Sequence, residues 1–220
     1  MYIDIHTHRL PTDPATFALL DCPPDNPLPN PAPRLRFSAG IHPWRTDEPG
    51  ATAWLDRIAA WAAAKHLSAI GECGLDHLRG AAIPAQLSIF RRHLELSAAY
   101  RLPVIIHCVR AWTELLALRR EFPLQPWIIH GFSGRTTMAE QLTAAGCILS
   151  LGPACLRRSQ SATLLDFLRE HRFLLETDDE NMDIIAVYRQ AAVRLQSSMD
   201  RLEEIIMDNF TAVFETVILE

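Results

Sequence analysis

The sequence contains seven short apolar runs, and most of them are followed by a longer segment with helical periodicity. The runs are residues 2–6, 35–41, 68–72, 104–107, 127–130, 147–151 and 173–177. Most of them are apolar on both faces, which is typical of parallel strands that helices cover on both sides. This alternation predicts an α/β fold with a mainly parallel sheet, either a (β/α) barrel or an open doubly wound sheet.

The segments between the runs carry apolar residues at the i, i+3, i+4 spacing of amphipathic helices. Such helices are predicted at residues 51–62, 87–98, 111–122, 136–145, 161–171, 184–196 and 200–217. Residues 9–34 contain eight of the fifteen prolines and predict a long surface loop without a strand or helix. A length of 220 residues fits one domain, so residues 1–220 are expected to form a single domain.

Composition excludes several classes of protein. No stretch reaches the roughly 20 apolar residues of a membrane span, and the N-terminus lacks the features of a secretory signal. The five cysteines are an odd number without a C-x-x-C pair, which argues against a disulfide framework or a thiolate zinc site. A net charge of −5 gives no sign of a basic nucleic-acid groove. We therefore expect a cytoplasmic protein.

Side chains that can bind metal stand at the ends of five predicted strands. They are His6 and His8, Glu72, His107, His130 and Asp178. In (β/α) barrels the carboxyl ends of the strands form the active-site face, so these groups are expected to converge. A lone histidine ending a buried strand is more often packed than metal-bound, but a core has no reason to repeat the pattern five times. Imidazole and carboxylate ligands suit zinc or manganese better than calcium, and six ligands predict two ions.

The order of these motifs resembles the TatD family of metal-dependent hydrolases. The motifs are H-x-H at 6–8, GIHPW at 40–44, GECGLD at 71–76, LPVIIHC at 102–108, IHGFSG at 129–134 and LLETD at 174–178. The resemblance covers nearly the whole chain. It implies a TIM-like (β/α) barrel with two divalent cations (zinc, manganese or magnesium) and a metal-dependent deoxyribonuclease that trims single-stranded DNA or oligonucleotides from a 3′ end.

The resemblance also implies a role for each residue. His6, His8 and Asp178 would hold one ion, His107 and His130 the second, and Glu72 would bridge both. Asp178 would double as the general base toward a water shared by the two cations, and His42 would face the scissile phosphate. Trp44 and Arg110 are further candidates for substrate binding, although Trp44 could equally close the rim of the barrel.

Two departures from the family pattern indicate a short subgroup. Members usually place a helix and a second strand between H-x-H and G-x-H-P, whereas this interval holds the proline-rich loop, so a barrel of about seven strands that lacks one βα unit is predicted. The loop after Asp178 is cut to residues 179–182. The substrate need not be DNA: hydrolysis of a small amide or ester is the alternative, and a non-catalytic barrel is a weaker one. His66, His93 and His171 are expected to be solvated.

Overall fold

Eight parallel strands alternate with helices in the computed structural model, which describes residues 1–158 and 162–218, the last four by backbone only. The strands are β1 Ile3–Thr7, β2 Phe17–Asp21, β3 Leu35–Ala39, β4 Ala69–Asp76, β5 Val104–Val109, β6 Trp127–Ile129, β7 Cys147–Leu151 and β8 Phe173–Leu175. Their order in the sheet is their order in the chain. This succession confirms the predicted α/β, TIM-like fold class.

The helices are α1 Ala51–Ala63, α2 Ile83–Tyr100, α3 Trp112–Glu121, α4 Thr136–Ala144, α5 Pro153–Leu156, α6 Ala162–Leu168, α7 Ile184–Leu195 and α8 Met199–Ile218. Seven of them occupy the predicted segments with small changes in their bounds, and the four-residue helix α5 lies in none of those segments. A short 3-10 helix, Pro43–Arg45, follows β3. Ser161, the first residue of one predicted helix, lies outside the described residues. No helix in the described part of the chain is long and apolar enough to cross a membrane.

Strand β2 corrects the predicted count of seven strands. It lies inside the proline-rich segment and pairs in parallel with β1, with Ile3 opposite Phe17 and Asp4 opposite Ala18. Its four apolar residues are all buried, which is why a run bounded by prolines on both sides still forms a strand. What residues 8–34 do lack, all of them being described, is a helix. The shortened unit has therefore lost its helix and kept its strand.

The chain divides into two compact units, and the predicted single domain stays a prediction. Unit 1 comprises Met1–Leu20, Ala32–Leu35 and Ile129–Glu220. Within it, β7 pairs in parallel with β8, and the Tyr188 hydroxyl of α7 accepts a hydrogen bond from the Ile3 N–H at 3.1 Å. Helix α7 begins after Asp183, whose carboxylate accepts from the Ile185 N–H, and buries one apolar face.

Unit 2 comprises Asp21–Pro31 and Arg36–Ile128. Its centre is the parallel pair β4 and β5, in which Gly74 lies opposite His107 and Asp76 opposite Val109. Helix α2 begins at a proline-containing turn and buries Phe90 and Leu94. The unit therefore presents the carboxyl ends of β4 and β5 side by side.

Candidate metal centre

Unit 1 places three predicted ligands around the ends of β1 and β8. The backbone N–H of Asp178 donates to the His6 carbonyl at 3.0 Å, and the His8 N–H donates to the Asp178 carbonyl at 3.1 Å. Asp178 thus sits between the two histidines, in a left-handed conformation (φ 56°) that aspartate tolerates better than most residues. Its Oδ1 lies 3.7 Å from His6 Nε2 and 3.4 Å from His8 Nε2.

His130, which follows β6, joins the same group. Its ring centroid lies 4.6 Å from that of His6, and His6, His130 and Asp178 each offer a ligand atom within 4.8 Å of the others. The buried carboxylate of Glu176 accepts from the Gly131 N–H and lies 3.5 Å from His130 Nδ1. A carboxylate behind a histidine fixes the orientation of the imidazole ring, so Glu176 supports this position.

Asp4 supports Asp178 indirectly, through hydrogen bonds with the neighbouring Thr177. Its two carboxylate oxygens accept from the Thr177 N–H at 3.0 Å and from the Thr177 hydroxyl at 2.6 Å. Burial raises the pKa of Asp4 to about 7, against the opposing effect of these hydrogen bonds. Asp4 therefore holds Thr177, the residue next to the candidate ligand Asp178, with both of its carboxylate oxygens.

Unit 2 brings together a second group: His42, Glu72 and His107. Glu72 is buried on β4 and its Oε1 lies 3.2 Å from His42 Nε2 and 2.9 Å from His107 Nδ1. The parallel register of β4 and β5 puts Glu72 and His107 near each other, while His42 arrives from the segment after β3. One ligand atom from each of the three lies within 4.8 Å of the others.

His42 is held by its neighbour. The Trp44 N–H donates to His42 Nδ1 at 3.2 Å, which leaves Nε2 to carry the proton that faces Glu72. The sequence predicted His42 to face the substrate, and the structure places its ring among ligand-capable groups. Its catalytic role stays a prediction.

Asp76, the last residue of β4, has two sets of contacts. It does accept from the Leu78 N–H at 2.7 Å, as a turn-forming aspartate should, but its other oxygen accepts from Trp44 Nε1 at 2.7 Å and lies 3.5 Å from His107 Nε2. Burial raises the pKa of this carboxyl, but the hydrogen bonds from Trp44 and Leu78 and the charge of His107 outweigh it, so the net pKa lies below the usual range. The sequence signal for this second role was the position of Asp76 at the carboxyl end of a buried strand, directly after Leu75.

The remaining predicted residues differ in their surroundings. Trp44 is 43% exposed beside His42, with the two ring centroids 4.5 Å apart. Arg110 is exposed at the end of β5, and its guanidinium makes no hydrogen bond or ion pair within the residues that the structure describes. His93 was expected to be solvated, which is wrong: it is 0% exposed inside α2. The polarity of the side chain misled that expectation, although His93 occupies the same helix face as the apolar Phe90 and Leu94.

The donor sets fit divalent cations. Two ligand atoms about 2.1 Å from one ion lie about 3–4 Å apart, and the nitrogen–oxygen distances given above fall near that range. Each unit contributes imidazoles with one carboxylate, a mixture suited to zinc, manganese or a similar ion. The number and identity of the ions and the bridging role of Glu72 stay predictions.

Curated relatives match the chain over part of their length. It is 36% identical over 156 residues to the 3'-5' ssDNA/RNA exonuclease TatD of Cronobacter turicensis, which covers 64% of this chain and 56% of that relative. The protein of the same name from Salmonella typhimurium is 31% identical over 157 residues, or 66% of this chain and 58% of the relative. The alignments thus span little more than half of each relative.

Solved structures share the fold. A TatD homolog from Escherichia coli, YJJV, superposes with a TM-score of 0.79 at 19% identity, covering 97% of this chain and 98% of the other. A hydrolase TatD family protein from Entamoeba histolytica gives a TM-score of 0.72 at 20% identity over 82% of this chain and 75% of the other. The model of the family described as TatD related DNase matches residues 29–215. Since that match takes in most of the sequence, the chain belongs to the TatD family.

Proposed function

We propose that this chain is a divalent-metal-dependent phosphodiesterase that removes nucleotides from the 3′ end of single-stranded DNA or RNA. The observation that carries the proposal is the pair of ligand groups, one in each unit: His6, His130 and Asp178 in unit 1, and His42, Glu72 and His107 in unit 2. The names of the curated relatives supply the substrate class and the polarity.

One cation would be held in unit 1 by His6, His8, His130 and Asp178. The other would be held in unit 2 by Glu72 and His107, and His42 would lie beside it without being a ligand, because its Nδ1 accepts from Trp44 and its Nε2 carries the proton. Bound divalent cations supply water that ionises near neutral pH and positive charge opposite the phosphoryl oxygens. Nitrogen donors in both groups favour zinc or manganese over magnesium, which prefers oxygen ligands. We expect two ions per chain on this basis.

Asp178 would take the proton from the attacking water. Its side chain is 33% exposed, so water reaches the carboxylate, while the backbone pairing with His6 and His8 fixes where the carboxylate points. His42 carries its proton on Nε2 and would donate it as a hydrogen bond to a phosphoryl oxygen, stabilising the charge that develops there. Trp44 and Arg110 would contact the substrate near this point.

The decisive experiment uses single-stranded oligonucleotides labelled at either end. Protein stripped with a chelator and reloaded with zinc, manganese or magnesium in turn should shorten a 5′-labelled strand in steps and release the label of a 3′-labelled strand at once. Metal analysis of the reloaded protein should give two ions per chain. Chelator should abolish the reaction.

The same protein should be given a panel of dipeptides and simple esters. If the metal-loaded protein leaves every oligonucleotide intact and hydrolyses a member of that panel, the phosphodiesterase assignment is wrong and the amide or ester hydrolase takes its place. A cytoplasmic location is part of the proposal, supported by the odd number of cysteines and the absence of a C-x-x-C pair.

A further inference from the structure

We propose that Arg79 and Trp44 form a phosphate-binding subsite beside the His42–Glu72–His107 group. Its ligand is a phosphodiester of single-stranded nucleic acid next to the one that is cleaved. The inference rests on the proposed function, since it assigns part of the same substrate to residues outside the metal ligands.

Trp44 is an exposed aromatic ring that cannot turn freely. Its Nε1 donates to Asp76 Oδ2 at 2.7 Å, and its ring stands edge-on to His42 with the centroids 4.5 Å apart and the planes at 77°. Fixing the orientation of an exposed tryptophan usually adds little to the stability of a protein. A fixed indole face beside ligand-capable groups can, however, bind a cation or a base.

Arg79 lies over that indole. Its guanidinium carbon is 4.8 Å from the Trp44 ring centroid, within the range of a cation–π interaction. Among the described residues the guanidinium has no carboxylate partner, and the nearby Asp76 carboxylate is already engaged by Trp44 and Leu78. A stacked guanidinium keeps its N–H groups available at the edge, where they can bind phosphate oxygens.

The loop that carries Arg79 is fixed by hydrogen bonds from a buried side chain of α2. Gln86, which is 0% exposed, donates from Nε2 to the carbonyls of Arg79 at 3.0 Å and Ala81 at 2.8 Å. Gly80 has φ +83°, and a Cβ there would lie 2.5 Å from the Pro43 carbonyl oxygen. This close approach presses the loop onto the backbone next to Trp44, so Arg79 is held in place before any substrate arrives.

The overall charge makes such a local cation necessary. At a net charge of −5 the chain has no general attraction for a polyanion. A nucleic acid must therefore be held by individual cations placed near the metal ligands, and Arg79 is one that has no competing carboxylate in the described part of the chain.

The test measures binding of a labelled oligothymidylate by fluorescence anisotropy over a series of salt concentrations. Every protein compared is the full chain carrying Asp178→Asn at one fixed metal concentration, so that the strand is not cut and all variants hold the same metal content. Arg79→Gln should weaken binding about tenfold and make the slope of log K against log salt shallower by about 0.7, the value for one lost contact to a single-strand phosphate. Arg79→Lys should keep the slope and recover part of the affinity.

Arg57→Gln is the matched control, because Arg57 also lies over a tryptophan, with its guanidinium carbon 6.0 Å from the Trp61 ring, but outside both ligand groups. It removes the same charge and should change neither affinity nor slope. An Arg79→Gln slope equal to that of Arg57→Gln overturns the subsite and leaves the nuclease proposal standing. If the metal-loaded wild-type chain binds the strand tightly but does not cut it, the nuclease proposal is wrong. The salt slope of Arg79→Gln then still decides whether the subsite exists. Absence of binding overturns both.

Discussion

The backbone N–H of Ile41 donates to Nε2 of His93 across 2.9 Å inside unit 2. Ile41 immediately precedes His42, so this bond ties helix α2 to the segment that delivers a candidate ligand. The other ring nitrogen of His93 lies 2.8 Å from the Ile89 carbonyl, which requires a proton on Nδ1 and leaves Nε2 as the acceptor. A second proton on Nε2 would oppose the Ile41 N–H, and burial lowers the pKa of His93 to about 4.

His93 should therefore make stability depend on pH. Between pH 4 and 6.5 this histidine is protonated in the unfolded chain, where its pKa is near 6.5, but not in the folded chain. The free energy of unfolding therefore falls as the pH falls through this window. Between pH 7 and pH 5 the loss from this group is about 2 kcal/mol. His93→Gln keeps an acceptor for Ile41 and should remove that loss.

Urea unfolding of the metal-free chain at pH 7 and pH 5 gives the loss of unfolding free energy between the two pH values. The effect of His93 is that loss in the wild type minus the loss in His93→Gln. His93→Leu serves as the comparison: it has no acceptor, so the buried Ile41 N–H should cost about 1–3 kcal/mol at both pH values. A His93→Gln variant whose stability follows the wild type at both pH values would show that this histidine is not the group that titrates.

Asp178→Asn should abolish hydrolysis and leave the fold intact. The amide can still occupy the turn between His6 and His8, but it cannot accept a proton from water and it is a weaker metal ligand, so turnover should fall by at least about a thousandfold. Circular dichroism should be unchanged, and metal analysis should show loss of the ion in unit 1. Asp179→Asn, which changes the adjacent exposed carboxylate, is the control and should keep wild-type turnover.

Gly40→Ala should disturb the position of Glu72. A Cβ on Gly40 would lie 2.3 Å from the Glu72 carbonyl oxygen, so β3 and β4 must move apart at the candidate ligand. We expect a loss of about 1–3 kcal/mol in unfolding free energy and weaker metal binding in unit 2. Gly152→Ala is the control, since its Cβ would meet no atom closer than 3.6 Å. Equal metal binding by the two variants would contradict the prediction.

Asn209→Leu should reduce stability without affecting catalysis in the folded fraction. The Asn209 Nδ2 donates to the carbonyl of Phe173, the first residue of β8, at 2.9 Å and the side chain is buried. Leaving that carbonyl without its donor should cost about 1–3 kcal/mol, measured as a shift in the urea midpoint. Asn30→Leu, at an exposed position in the proline-rich segment, should leave the midpoint unchanged.

The amino-acid sequence by itself determined where the ligand-capable side chains stand along the strands. A buried parallel strand reads as a continuous apolar run, so a His, Glu or Asp that ends the run is visible without coordinates. That local signal identified all six predicted ligands, and the order of the motifs identified the family. The grouping of His6 with Asp178, 172 positions apart in the sequence, was implied by the resemblance to the family, and the structure places His6 Nε2 3.7 Å from Asp178 Oδ1.

Tertiary structure alone decided the features that depend on contacts between distant segments. Strand β2 is short and lies among prolines, and its burial and its pairing with β1 make it a strand. His93 has a polar side chain, yet it is buried because its Nε2 accepts the hydrogen bond of the Ile41 N–H, which follows β3. Asp76 gains its second role from Trp44, 32 residues away. In each case the stabilising partner comes from a different part of the chain, and local periodicity contains no record of that partner.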